Sequence, residues 1–168
     1  MPRIITEKLS ESYHVYDASL TDPEKLYSLY RSNQFYFDYF SIEPTVERLQ
    51  RDMTMLPEGC DRCQKHFLAY CDDLPEAILD IIEGYPTENT CYIGLFMVKH
   101  ELTGKGVGTK IITELCSALA GFGFKAVRLA YGKHYERAVH FWTKNGFVPV
   151  KEALLDEYGE LIIAERKL

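Results

Sequence analysis

Nothing in the chain approaches the roughly 18 consecutive apolar residues that cross a bilayer as a helix. The opening run Met1–Glu7 also has no apolar core of the kind a secretory signal carries. Both absences predict a soluble, cytoplasmic protein with no membrane partner. Cysteine is sparse and odd in number, five residues, which suits a reducing compartment better than a disulfide framework. Cys60-Asp61-Arg62-Cys63 is a lone C-x-x-C; no second pair follows, and His66 and Cys71 do not complete a zinc spacing. His14, His100, His134 and His140 show no ligand spacing either, so no metal is expected. Positive charge is in deficit, with a net charge of −6, which disfavours non-specific nucleic-acid binding. Glycine (11) and proline (7) are few against 46% hydrophobic residues, with no low-complexity tract or visible repeat. That composition predicts one globular domain over residues 1–168, long enough to bury a sizeable core.

What is present is a glycine-rich turn, Leu102-Thr103-Gly104-Lys105-Gly106-Val107-Gly108-Thr109-Lys110. Before it, Tyr92–Val98 is β-branched and aromatic and reads as a buried strand. After it, Ile112, Leu115, Cys116 and Leu119 have the spacing of a helix face. A strand turning through alternating glycines into a helix start can aim several N–H groups at one point, which is how phosphates are held. The alternative is a strand–helix turn with no ligand. Two familiar phosphate loops fail on spacing. The Walker order Gly-Lys-Ser/Thr is missing, because Gly106 follows Lys105. The dinucleotide fingerprint would need glycine at Thr109 or Ile111.

A third pattern fits. With glycines at Gly106 and Gly108, the run resembles the pyrophosphate loop of the GNAT superfamily of N-acetyltransferases, Gln/Arg-x-x-Gly-x-Gly/Ala, with Thr103 at the leading Gln/Arg position. Downstream, Tyr135-Glu136-Arg137-Ala138-Val139-His140-Phe141-Trp142-Thr143-Lys144-Asn145-Gly146-Phe147 is similar to the superfamily's later coenzyme-contacting helix, Asn-x-x-Ala-x-x-Phe-Tyr-x-x-x-Gly-Phe. Here Tyr135 replaces the Asn and Trp142 the Tyr. The resemblance implies an α+β fold: a twisted, mostly antiparallel sheet of about seven strands, splayed between the fourth and fifth and flanked by about four helices. It implies acetyl-CoA as the donor, with CoA as product. Thr103, Gly104, Lys105, Gly106, Val107, Gly108 and Thr109 would hold the pyrophosphate, and the backbone of Phe96, Met97 and Val98 would pair with the pantetheine arm. Tyr135, Ala138, Phe141 and Trp142 would line the coenzyme from the later helix.

The implied reaction is attack of a primary amine on the thioester within a ternary complex. An alkylamine with a pKa of about 10.4 is mostly ammonium at neutral pH, so a proton must be removed first. Candidate bases lie on the strand Pro75–Pro86, where period two puts Ile78, Asp80 and Ile82 on one face and Leu79, Ile81 and Glu83 on the other. A carboxylate on a strand covered on both sides must be paired or functional. Asp80 is the first candidate as base or ammonium anchor and Glu83 the second, with pairing to an internal Lys or Arg as the other explanation of Asp80. In many relatives a glutamate serves at the position of Tyr92. Indole N–H donates but does not give up its proton, so Trp142 can orient the sulfur only; Tyr131, Tyr135, His134 or water would protonate the leaving thiolate.

Elsewhere, strands are expected at Tyr13–Tyr16 and His66–Tyr70, with a closing hairpin from Phe147–Val150 and Leu161–Ala164. Helices are expected from Thr21 to about Arg31 and from Glu43-Pro44 onward. The aromatic stretch Phe35–Phe40 reads as a connection, a lid over the acceptor or core packing. The acceptor would be an amine of a small molecule or a peptide, and a homodimer is a family expectation. The replacements at Thr103, Tyr135 and Trp142 keep a second reading open, a CoA-binding regulatory or catalytically degenerate module.

Overall fold

The computed structural model describes residues 3–168; of the run Met1–Glu7, the first two residues lie outside the described ones. Strand β1 (His14–Asp17) is followed by three helices, α1 (Glu24–Ser32), α2 (Gln34–Phe40) and α3 (Val46–Thr54). Then come β2 (Lys65–Cys71), β3 (Pro75–Glu83), β4 (Thr90–Val98), α4 (Val107–Gly121) and β5 (Ala126–Gly132). Helix α5 (Glu136–Lys144) and the strands β6 (Val148–Leu155) and β7 (Gly159–Lys167) complete the chain. The seven strands form one open sheet in the order β1-β2-β3-β4-β5-β7-β6. Every neighbouring pair is antiparallel except β4–β5, which is parallel. The fold is the expected α+β arrangement with one helix more than foreseen. Among the described residues no helix is long and apolar enough to cross a membrane.

The additional helix is α2, where a connection was expected. Aromatic residues carry little helix propensity of their own, so packing decides: Phe37 is 1% exposed and meets the Tyr30 ring edge-on at 4.8 Å. Asn33, outside the helical region, separates α1 from α2, and Ser41 ends α2 in the left-handed region. Helix α3 starts later than Glu43-Pro44 because Thr45 caps it, its hydroxyl accepting from Arg48 N–H at 3.0 Å.

Two apolar layers cover the sheet. Helices α1–α3 pack on the face bearing Phe67, Ala69, Ile78, Leu95 and Met97, whereas α4 and α5 pack on the face bearing Leu68, Leu79, Ile81, Val127 and Leu129. Strand β3 is therefore buried on both sides, as its sequence implied.

Glu83, at the end of β3, is 6% exposed. It accepts from the amides of Arg3 (2.8 Å) and Ile4 (3.2 Å) and bonds His66 Nε2 at 2.9 Å. Burial raises its pKa, but the hydrogen bonds from His66 and the two amides outweigh it and leave the carboxyl below its ordinary range. Glu83 thus ties the amino-terminal segment to the sheet. Because the folded-state pKa is depressed, this stabilisation is present above the ordinary carboxylate range and is lost as pH falls below it. Glu83→Gln is expected to lower stability by about 1–3 kcal/mol, read by urea unfolding at neutral pH, with the difference from the parent shrinking in acid.

Candidate active site

The parallel β4–β5 ladder joins Thr90–Ile93 to Ala126–Leu129 and then stops. A bulge is the local cause: Ile81 faces Ile93 and Asp80 faces Leu95, leaving Gly94 as the extra residue on β4. Bulges bend and twist the strand that carries them, and β4 leaves β5 here. Beyond the bulge, Phe96, Met97 and Val98 pair with Leu79, Ile78 and Ala77 of β3. Among the described residues no strand pairs with their opposite backbone edge. An unpaired edge in such a cleft is a place for an extended chain to add as a further strand.

The glycine turn stands at the end of this edge. Gly104 (φ 75°) and Gly106 (φ 82°) occupy the left-handed region, and a Cβ on either would meet open space. Gly106 precedes α4 without a side-chain cap, and the helix's first bond runs from Lys110 N–H to the Gly106 carbonyl at 3.0 Å. The amides of Val107, Gly108 and Thr109 therefore have no partner within the helix, and with the helix dipole they suit an anion. Gly108 is small for a different reason: a Cβ there would lie 3.0 Å from the Phe141 ring, so its lack of a side chain lets α5 lie against the start of α4. Thr103 turns its hydroxyl back onto the His100 carbonyl at 2.7 Å. Lys105 and Lys110 are exposed around the turn.

Asp80 lies over the bulge. A Cβ on Gly94 would come within 2.5 Å of Asp80 Oδ2, so glycine is what admits the carboxylate to the point where the strands part. Asp80 is 8% exposed, and Lys65 Nζ, fully covered, bonds its Oδ1 at 2.7 Å. Burial pushes the Asp80 carboxyl up to about 6; Lys65 opposes the shift and nearby Asp52 adds to it. The pairing with an internal lysine and the position at the splay thus occur together. Glu83 does not share this location: it points to the other face, three hydrogen bonds consume it, and its partner across β4 is Cys91, where the ladder to β5 is still intact.

The candidate acids are scattered. Tyr131 is buried on β5, and burial raises its phenol. His134 is exposed, bonded to Glu160 at 3.1 Å, and beside an open groove of about 650 Å³ along the outer side of α5. Tyr135 stacks on Tyr39 with ring centroids 4.8 Å apart, and burial raises its pKa. Trp142 is packed among Phe96, Phe141 and Phe147. Ala138 and Phe141 lie on the same inner side of α5.

Around the splay, Asp52, Arg48 and Gly94 were not singled out in the sequence, whereas Tyr39 belongs to the aromatic stretch Phe35–Phe40. Tyr39 lies over Gly132, where a Cβ would collide with its ring, and its hydroxyl accepts from His134 N–H at 3.2 Å. Asp52 of α3 accepts from Tyr30 at 2.7 Å, and burial raises its carboxyl. Arg48 donates to Tyr158 of the β6–β7 turn at 2.7 Å. Gly94 alone was detectable, since a glycine inside an apolar strand marks a bulge or a close approach. Among the described residues no cluster of three or more His, Cys, Asp or Glu side chains is placed to hold a metal ion.

The family profile of the acetyltransferase (GNAT) family matches residues 24–147. No curated protein sequence matches the chain significantly. Among solved structures, an acetyltransferase from Thermus thermophilus is similar at 21% identity and TM-score 0.78, covering 93% of this chain and 97% of its own. The PaiA N-acetyltransferase of Thermoplasma acidophilum, solved in complex with coenzyme A, is similar at 19% identity and TM-score 0.64, over 93% and 99% of the two chains. The ribosomal-protein-S18-alanine N-acetyltransferase of Escherichia coli is similar at 11% identity and TM-score 0.66, over 92% and 93%. The chain belongs to the acetyltransferase (GNAT) family.

The crowding at Gly94 is directly testable. Gly94→Ala is expected to cost about 1–3 kcal/mol, because the new methyl displaces Asp80 from Lys65. Gly121→Ala, at the end of α4 with nothing near its Cβ position, should cost nothing measurable in the same thermal unfolding assay.

Proposed function

We propose that this acetyltransferase moves the acetyl group of acetyl-CoA to a primary amine of a small molecule or peptide, by direct attack within a ternary complex, and that its 168 residues work as one domain. The observation that carries this reading is the Asp80 carboxylate, seated over Gly94 where β4 leaves β5. The amides of Gly104 to Thr109 would hold the pyrophosphate, while Lys105 lends charge and Thr103 shapes the turn. The free edge of Phe96, Met97 and Val98 would pair with the pantetheine arm, bringing the thioester to the splay beside Asp80. Tyr135, Ala138, Phe141 and Trp142 would close the other side of the coenzyme.

With its carboxyl pushed up to about 6, Asp80 is ionised at neutral pH yet basic enough to accept a proton from an approaching ammonium. The free amine then attacks the carbonyl, and a β4 N–H stabilising the oxyanion would contribute roughly 2.7–4 kcal/mol. Collapse of the tetrahedral intermediate breaks the C–S bond. A thiol with a pKa of about 8.5 leaves readily, so a hydrogen bond from Tyr131, Tyr135, His134 or water suffices, with Trp142 N–H a further donor to sulfur. Glu83, engaged with the amino-terminal segment, is left out of this mechanism.

A second reading, a coenzyme-binding module without turnover, draws on the Asp80–Lys65 ion pair. Thiol release across a panel of amines separates the two. In the enzyme, kcat/KM should rise as pH passes through about 6, because Asp80 must lose its proton to serve as base. Asp80→Asn should abolish that limb and reduce kcat at least about tenfold, with little change in coenzyme A affinity by calorimetry. Gly106→Val should instead eliminate calorimetric binding of both acetyl-CoA and CoA while the circular dichroism spectrum is preserved; retained affinity would remove the turn from the coenzyme site.

A further inference from the structure

One turn of α3 presents two arginines to a single borrowed carboxylate. Glu157, at the tip of the β6–β7 hairpin, meets Arg48 Nη1 at 2.5 Å and both terminal nitrogens of Arg51 at 3.3 Å. Arg48 is well covered, its side chain 15% exposed, whereas Glu157 is 37% and Arg51 49% exposed. On the β6 side of the hairpin tip Leu154 and Leu155 are exposed, and its apolar contact with the rest of the fold is the Tyr158 ring against Phe40. The covered arginine thus has its partner on the more accessible element.

This clamp adjoins the acidic side of the splay. Arg48 Nε is 3.8 Å from Asp52, and Asp52 lies close enough to Asp80 to help raise its carboxyl, while Lys65 acts to lower Asp52. Tyr158 continues the same wall, with its ring 5.4 Å from Phe40, which in turn approaches Tyr135. Carboxylates for an ammonium and a guanidinium pair for an anion therefore sit on one side of the sheet.

We propose that the acceptor is an amine that also carries a carboxylate, an amino acid or a peptide, and that Glu157 occupies the place its carboxylate takes on Arg48 and Arg51. A planar guanidinium recognises any carboxylate by the same forked geometry. Exchanging Glu157 for a ligand carboxylate keeps the close ion pair of the covered Arg48, whereas expelling Glu157 for a neutral group would leave it only the longer contact to Asp52 and the Tyr158 hydroxyl. The site therefore selects for an anionic acceptor group. This rests on amine acetylation at Asp80, as proposed above.

The test measures kcat/KM at saturating acetyl-CoA for free amino acids and short peptides, each against its own carboxamide. The ratio of acid to amide in Arg51→Gln is compared with that of the unaltered chain, which cancels differences in amine basicity. The ratio should fall about tenfold, the factor set by one charge-assisted hydrogen bond. Glu157→Gln should raise kcat/KM for the acids, through KM, more than for the amides. Preference among free amino acids or among peptides identifies the source of the carboxylate. Amides and acids used equally, or both improved equally by Glu157→Gln, would overturn the carboxylate clamp while leaving amine acetylation standing. Absence of thiol release with every acceptor would overturn amine acetylation, and the clamp with it.

Discussion

The parallel pairing of β4 with β5 stops at Ile93 and Leu129, and the rest of the site depends on that stop. Backbone N–H and C=O groups inside a fold require partners, so a ladder that opens in mid-sheet leaves an edge that something must satisfy. The bulge at Gly94 bends β4 away on one side. On the other side Gly132 ends β5 and gives its space to the Tyr39 ring, drawing α2 over the opening. The glycine turn before α4 follows the free edge after a single 3-10 turn at His100–Leu102 and adds the unpaired amides of the helix start. Ladder end, α2 and glycine turn thus meet around one interruption.

Electrostatics divides two carboxylates of the same strand. Asp80 and Glu83 are both buried, yet the shifts run in opposite directions. Glu83 accepts hydrogen bonds from two amides and a histidine, which favour its ionised form. Asp80 has one lysine against its burial and the field of Asp52, which favour the neutral form. A carboxylate saturated with donors is a poor proton acceptor; one held near the balance point by burial is a good one. Environment, rather than residue type, supports giving Asp80 the proposed role and Glu83 the structural one.

Much of the architecture was legible because it is written in local pattern. The apolar residues on both faces of β3, the stripe of Ile112, Leu115, Cys116 and Leu119 and the glycines before α4 each act within about ten residues of chain. The observed elements accordingly fall within a few residues of their expected positions. Helix α2 escaped because its aromatics have no helical preference of their own and take that form by packing on Tyr30 and against Tyr135. The bulge left one trace, Gly94, whose meaning became plain only with Asp80 above it.

The sequence by itself therefore determined the family, the order of the strands and of every helix but α2, and the glycine turn before α4, since these rest on dihedral preferences and on apolar pattern over short stretches. Tertiary structure alone decided which charges meet. Lys65 reaches Asp80 through the register of β2 on β3, and Glu157 reaches Arg48 across 109 residues of chain. A buried charge takes its partner from whichever element the sheet brings to that face. No periodicity within a single segment encodes that choice, because it is made by the packing of segments that are remote in the chain.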